Sequence, residues 1–307
     1  MRMKAVWNHF GGFGKIVMTI LLVISSFMVF SFLAVLVALP FVDNISLLKG
    51  SSIDGLMTTG MLRYLQIVQS MSLFIIPSLL AGSLFWGHFS RGLGLYKPQR
   101  IMLILSCLII IFSQPLVNYL GLWNSTLKLP DFLGGLEKWM RQSEESAADL
   151  IFRFLDTDQF YLVLVNVFMI TILPALGEEM LFRGVLQPIF KEWFRNEHLA
   201  VFLTAFIFSA IHLQFFSFLP RFFLGLILGY LMIWGKNLWY PIAGHFANNF
   251  LSLILFYYYR YTHPEINPLQ PLPDQMTISW LFVAFASVGM FVFIWQFYSH
   301  NCKIRRN

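Results

Sequence analysis

The chain has 307 residues, of which 58% are hydrophobic and only 12% are charged. Soluble domains carry about 25% charged residues, so this composition excludes a soluble globular protein and indicates an integral membrane protein. The net charge of +6 could suggest a nucleic-acid-binding protein. The basic residues cluster in short loops beside apolar segments, however, which favours a role in membrane topology and in contact with anionic lipid. We therefore expect no nucleic-acid partner.

The apolar segments predict an all-α helical bundle that crosses the membrane about eight times. The first apolar run follows basic residues, but it is much longer than the apolar core of a signal peptide, which has about 7–15 residues, so we predict a retained span. Most of the other segments reach the roughly 20 residues that a crossing helix needs. The eight segments are 16–42, 65–86, 101–123, 159–177 (extending further), 199–219, 221–235, 238–259 and 275–299.

Loop charge predicts the orientation of this bundle. If all eight segments cross, the basic loops fall on one side, and the positive-inside rule then places both termini in the cytoplasm. Segment 221–235 is short and could be re-entrant, but the basic C-terminal tail would then lie outside, so we favour a crossing. The basic residues in the loops and termini assigned to the cytoplasmic side are Arg2, Lys4, Lys15, Arg91, Lys97, Arg100, Lys191, Arg195, Lys236, Lys303, Arg305 and Arg306.

Two polar loops interrupt the apolar pattern. Loop 124–158 has helical, amphipathic spacing, and we expect it to lie along the outer interface. Loop 260–274 is rich in proline and should be irregular. We divide the chain into an N-terminal three-span region, 1–150, which includes the start of the outer loop, and a catalytic core, 151–307, within one integrated bundle.

Two adjacent glutamates, Glu178 and Glu179, follow a charge-free apolar stretch and are followed by Arg183. Ionisable residues within membrane segments are costly and by default mark a functional site. On a helix, Glu179 and Arg183 are i,i+4 neighbours that can pair, whereas Glu178 points about 100° away. With a helix from about 165 to 192, Glu178 would lie roughly 20 Å from the cytoplasmic end, less if Pro188 breaks the helix.

Two later segments each carry one histidine. His212 lies at a depth matching that of Glu178 on the antiparallel neighbour, which favours a functional role over a structural hydrogen bond to a helix carbonyl. His245 and Asn249 share one helix face at i,i+4, and such a pair can donate hydrogen bonds to an oxyanion or join helices. The spacing of Gly225 and Gly229 is typical of close helix packing.

In this order, Glu178-Glu179-x-x-x-Arg183, Phe208-x-x-x-His212 and His245-x-x-x-Asn249 resemble the CPBP family. That family groups the CAAX prenyl endopeptidases with bacteriocin-processing and immunity-type membrane proteins. The resemblance covers about residues 174–252, including Leu238-Trp239, and does not extend to residues 1–150. Each motif is weak alone, whereas three in order on separate segments are specific.

The resemblance implies an eight-span intramembrane endopeptidase of the cell membrane that cleaves a membrane-associated or lipidated peptide or protein. It implies that Glu178 is the general base and that His212 helps it to hold the water. His245 and Asn249 would form the oxyanion hole, and Arg183 would fix Glu179. We expect a metal-free enzyme without a cofactor. The alternative is a zinc ion on Glu178, His212 and His245, since three such ligands can leave an open position.

Two other functions remain open at this point. A transporter could use Glu178, His212 and His245 as a proton relay, although the sequence has no internal repeat. A family member without protease activity could act as an immunity or scaffold protein, although the full set of candidate residues argues for catalysis.

Overall fold

The computed structural model describes residues 5–41, 58–263 and 279–304, and it contains no strand within these ranges. Nine helices longer than two turns occur in this part of the chain, together with short helical turns such as Phe89–Gly92. The nine are α1 (Gly12–Ala38), α2 (Thr59–Trp86), α3 (Arg100–Ser125), α4 (Gly134–Leu155), α5 (Phe160–Phe194), α6 (Glu197–Ala210), α7 (Phe218–Gly235), α8 (Trp239–Thr262) and α9 (Trp280–Ile304).

The predicted polytopic helical bundle is confirmed. Each of the eight predicted apolar segments coincides with or overlaps a helix, and α4 lies in the predicted outer loop. Within the described ranges, six helices are long and apolar enough to cross a membrane, while α6 is a shorter apolar helix. The protein is therefore a multi-pass integral membrane protein. The count of eight crossings and the cytoplasmic position of both termini stay predictions.

Three π-helical segments interrupt α2 and α5, and each ends two residues before a proline. A proline inside an α-helix lacks an N–H donor and clashes with a preceding carbonyl, which normally kinks or breaks the helix. A π-helical turn, with its i→i+5 hydrogen bonds, widens the backbone at that point, and α5 continues through both of its prolines. The expected break at Pro188 is therefore wrong. The segments are Met71–Ile75, Val167–Ile172 and Met180–Leu186, followed by Pro77, Pro174 and Pro188.

Helix α5 lies at the centre of the bundle, where it packs against α1, α2, α6 and α8. The N-terminal region belongs to the same bundle, because the buried Lys15 ammonium of α1 bonds Glu192 of α5 at 2.7 Å. A second set of contacts joins α3 to α7, α8 and α9 around Ile109, Ile110 and Leu231, all fully buried.

Helix α4 is amphipathic, as predicted. Near its start Trp139 is half exposed, while at its end Phe154 and Leu155 are buried. Glu137 accepts the backbone N–H of Leu129 at 2.9 Å and pairs with Arg141, and these two contacts, in this order, hold the pKa of the Glu137 carboxyl below its ordinary value. Its position at the outer interface stays a prediction.

Two predicted boundaries differ in the structure. The loop expected from residue 260 starts later, since α8 continues to Thr262 and Arg260 bonds the Leu155 carbonyl at 3.0 Å; residues 264–274 of that loop lie outside the described residues. The predicted segment 199–219 is not one helix, because α6 ends at Ala210 and the chain turns at Leu213, which has a left-handed φ of 54°.

Candidate active site

Helix α5 carries a buried ion pair at the candidate site. Arg183 Nη1 donates to Glu179 Oε1 at 2.6 Å, and both side chains are 0% exposed, so the predicted i,i+4 pairing is present. The guanidinium also donates from Nη2 to the Gly225 carbonyl at 3.0 Å and lies 4.7 Å above the centroid of the Phe208 ring. Arg183 thus ties α5 to α6 and α7, beyond its predicted contact with Glu179.

The imidazole of His245, on α8, lies between the two glutamates. Its Nδ1 is 2.8 Å from Glu179 Oε1, the oxygen that Arg183 also holds. Its Nε2 is 3.9 Å from Glu178 Oε2. The Glu178 side chain keeps 13% exposure, whereas Glu179 has none. Of the two carboxylates, only Glu178 can therefore meet a water molecule or a substrate.

The Glu179 contact constrains the proton on His245. A carboxylate held by Arg183 can only accept, so Nδ1 of His245 must carry a proton. A neutral imidazole then has no proton on Nε2, the nitrogen that faces Glu178. The predicted role of His245 as an oxyanion donor therefore requires the doubly protonated ring, and this role stays a prediction.

His212 follows α6 in a turn and does not lie within a helix. Its Nδ1 is 2.7 Å from the Phe208 carbonyl oxygen. The last carbonyls of a helix have no intrahelical partner, so the imidazole caps the end of α6, and the chain leaves the helix here. A carbonyl is only an acceptor, which fixes the proton on Nδ1 and leaves Nε2 as an acceptor.

Phe208 brings these groups together. Its ring is edge-on to both histidines, with centroids 5.2 Å from His212 and 5.9 Å from His245, and it stacks under the Arg183 guanidinium. The side chain is 4% exposed. The sequence interpretation treated Phe208 as part of a motif only, although a phenylalanine four residues before a candidate histidine could have indicated this contact.

Asn249 lies one turn beyond His245 on α8. Its amide nitrogen donates to the Ile170 carbonyl at 3.3 Å, and its Oδ1 accepts from Asn248 at 3.0 Å. Asn248 in turn accepts from Gln114 of α3 at 3.1 Å, and this bond joins α8 to α3. The second N–H of the Asn249 amide has no protein partner among the described hydrogen bonds.

Arg221, in the first turn of α7, is a candidate that sequence reasoning missed. Its Nη2 donates to Gln214 Oε1, while its Nη1 is buried without a hydrogen-bond partner in the described part of the chain. Glu178 and Glu144 both act electrostatically on its charge. The sequence did contain a signal, since Arg221 is the sole Lys, Arg, Asp or Glu between residues 197 and 236.

The alternative zinc set was Glu178, His212 and His245. Among the residues that the structure describes, no group of three or more His, Cys, Asp or Glu side chains is arranged to hold a metal ion. His212 and His245 each use Nδ1 to bond the Phe208 carbonyl and Glu179, respectively, and this leaves Nε2 as the nitrogen that a metal would use, as in many metal-ligating histidines. The metal-free enzyme therefore stays a prediction.

Comparison with known proteins identifies the family that this part of the chain resembles. The family model described as Type II CAAX prenyl endopeptidase Rce1-like matches residues 160–251, a segment that contains every predicted site residue. "Uncharacterized protein YpbD" of Bacillus subtilis (strain 168) is 33% identical over 85 residues, which are 26% of this chain and 40% of that protein. No solved structure matches the chain. The family resemblance seen in the sequence is thus confirmed for residues 160–251.

Proposed function

We propose that the protein is an intramembrane endopeptidase that hydrolyses a peptide bond of a membrane-associated or lipidated peptide or protein, with Glu178 as the general base. The observation that carries this proposal is the arrangement of Glu178 and His245. Glu178 is the accessible carboxylate, and the His245 ring faces it at 3.9 Å while Glu179 holds the opposite ring nitrogen. The match of residues 160–251 to a CAAX endopeptidase family supports the reaction class.

In the proposed reaction, Glu178 accepts one proton of a water molecule. The other proton of this water is bonded by Nε2 of His212, which is free to accept because Nδ1 bonds the Phe208 carbonyl. The hydroxide attacks the peptide carbonyl carbon, and the C–N bond breaks as protonated Glu178 gives its proton to the leaving amine. The products are a carboxylic acid and an amine.

The oxyanion of the tetrahedral intermediate needs hydrogen-bond donors that are already in place. Doubly protonated His245 supplies Nε2–H, and its other N–H stays on Glu179. The free N–H of Asn249 supplies a second donor. Glu179, itself held by Arg183, accepts from the His245 ring and keeps its plane fixed, so Glu179 and Arg183 are positioning residues.

The test is cleavage of two quenched fluorescent peptides by the full-length protein in lipid nanodiscs. One peptide carries a farnesylated cysteine fourth from its C-terminus, the position that prenyl processing requires, and the other is identical but unlipidated. We expect wild-type protein to cleave the farnesylated peptide and Glu178→Gln to lose cleavage while remaining folded, because glutamine cannot accept the proton. Glu145→Gln, an exposed change on α4, is the matched control. Wild-type turnover by folded Glu178→Gln would contradict the proposal.

A further inference from the structure

The segment that carries His212 depends on side chains from other helices for its position. We call residues 211–217 the His212 loop; it joins α6 to α7 and ends in the 3-10 turn Phe215–Ser217. Its start is bonded to α6, with Leu213 N to Ala210 O at 3.1 Å, whereas the bonds from His212 N to Ser209 O and from Ser217 N to Gln214 O are longer, at 3.4 Å and 3.3 Å. Contacts from other helices add to these bonds in the second half of the loop.

Helix α4 supplies the charged contact to this loop. Glu144 Oε2 accepts the backbone N–H of Phe216 at 3.1 Å, and Oε1 accepts the hydroxyl of Ser217. Two neighbours on α4 add ring contacts: Trp139 lies 5.9 Å from Phe215, and the Arg141 guanidinium lies 3.9 Å above Phe216. Helix α4 thus contacts three successive residues of the loop.

Asn124 of α3 holds the same turn from another side. Its amide donates to the Phe215 carbonyl at 3.1 Å, and its Oδ1 accepts the Leu219 N–H at 2.7 Å. Asn124 is neutral and 3% exposed. Glu144 differs because it brings a negative charge to the N-terminus of α7, where the helix dipole favours an anion.

The charge of Glu144 also connects this contact with the candidate site. The guanidinium of Arg221, in the first turn of α7, interacts electrostatically with Glu144 of α4 and with Glu178 of α5. Gln214 of the His212 loop accepts from the same guanidinium. A displacement of the loop would therefore move the His212 ring and would also remove a partner of Arg221.

We propose that Glu144 is a positioning residue for the reaction: through Phe216 and Ser217 it fixes the His212 loop, and with it the His212 ring, relative to Glu178. This inference rests on the proposed function. Glu144 lies outside residues 160–251, so this contact joins the N-terminal part of the chain to the segment that matches the family. A displacement of about 1 Å at a reacting group can cost about 100-fold in rate.

The experiment compares Glu144→Ala, Glu144→Gln and the exposed neighbour Glu145→Ala in nanodiscs. Hydrogen–deuterium exchange of peptides covering residues 209–219 measures the loop directly, whether or not the protein is active. We expect Glu144→Ala to raise exchange there and to lower kcat for the farnesylated peptide about 10–100-fold, with KM changed less than about threefold. Glutamine keeps one acceptor oxygen, so Glu144→Gln should recover part of both effects. Glu145→Ala should match the wild type.

Thermal unfolding shows whether each variant is folded at the assay temperature. Unchanged exchange over residues 209–219 in folded Glu144→Ala overturns the inference, whatever the kinetics. Raised exchange with wild-type kcat also overturns it, because the loop would then move without consequence for the reaction. The proposed function is tested separately, by measuring Glu178→Gln in parallel. Wild-type turnover by that variant would contradict the proposed function and not the contact of Glu144 with the loop.

Discussion

His245 Nδ1 and Glu179 Oε1 are 2.8 Å apart, although 66 residues separate them in the chain. Arg183 donates to the same Glu179 oxygen at 2.6 Å. The other oxygen, Oε2, is buried and has no hydrogen-bond partner in the described part of the protein. One buried carboxylate oxygen therefore fixes both the arginine of its own helix and the imidazole of a distant helix, so Glu179 sets the direction in which His245 presents Nε2.

Glu179→Gln should reduce both stability and turnover. The substitution leaves the Arg183 charge buried without an anionic partner, which typically costs about 3–5 kcal/mol, and it replaces the carboxylate oxygen that orients His245 with a weaker, neutral amide acceptor. We expect kcat to fall less than in Glu178→Gln, because the base itself remains. Unfolding in denaturant and peptide cleavage measure the two effects. Glu197→Gln is the control: its pair with Lys191 is exposed, and such pairs contribute about 1 kcal/mol or less.

Asn249→Ala should lower kcat by about 10²–10³-fold, the usual loss for one oxyanion donor, with little change in KM. Asn248→Ala is the change at the neighbouring residue. It removes a donor to Asn249 Oδ1 and the acceptor of Gln114, but it should cost less turnover because the Asn249 N–H that would serve the oxyanion remains. A proton relay would need Glu178 but not the Asn249 amide. Equal turnover by the two variants would therefore count against an oxyanion role for Asn249.

Gly229→Ala should destabilise the bundle where α7 packs against α6 and α5. The added Cβ would lie 2.8 Å from a Val201 methyl group and 3.2 Å from Gln187 Oε1, beside the Gln187 Nε2 hydrogen bond to the Gly229 carbonyl. We expect a loss of about 1–3 kcal/mol, typical of overpacking. Gly121→Ala is the control. Its nearest neighbour would be 3.8 Å away, so alanine should stabilise α3 by about 0.5–1 kcal/mol. Denaturant unfolding measures both, and a neutral Gly229→Ala would show that the helices separate easily.

Chelators should leave peptide cleavage unchanged if the reaction uses Glu178 without a metal. The measurement is turnover of the farnesylated peptide after dialysis against 1,10-phenanthroline and then after addition of zinc. Metal content, determined on the same samples, shows whether stripping was complete. A zinc enzyme would lose activity and regain it with the metal, and that result would replace the proposed mechanism.

The predicted topology places both termini and residue 96 in the cytoplasm and residue 145 outside. In a background without Cys107 and Cys302, single cysteines at Tyr96, Glu145 and Arg305 should show this pattern with a membrane-impermeant thiol reagent. Tyr96 and Glu145 are exposed, so both positions are accessible to the reagent. Labelling of residue 305 from outside, with residue 145 protected, would invert the topology.

The sequence by itself determined the helical architecture and one contact of the site. Apolar length and charge-free runs are local properties, and they predicted the bundle because a chain in lipid must satisfy its backbone hydrogen bonds internally. The pairing of Glu179 with Arg183 was also predictable from local sequence, because residues four positions apart on a helix are neighbours on its surface. Six candidate site residues were named from their types and spacing: Glu178, Glu179, Arg183, His212, His245 and Asn249.

Only the tertiary structure decided how these side chains face one another. The contact of His245 with Glu179 depends on how α8 lies against α5, and no local pattern encodes that distance. At the end of α6, the His212 side chain bonds the Phe208 carbonyl, which the backbone N–H of residue 212 would bond if the helix continued. The sequence does not show which of these two bonds forms. Arg221 and Glu144 lay outside the motifs, and they meet the site because packing brings α4 and α7 together at the His212 loop. The sequence specifies the type and order of the side chains, whereas the distances between them at the candidate site arise from the packing of separate helices.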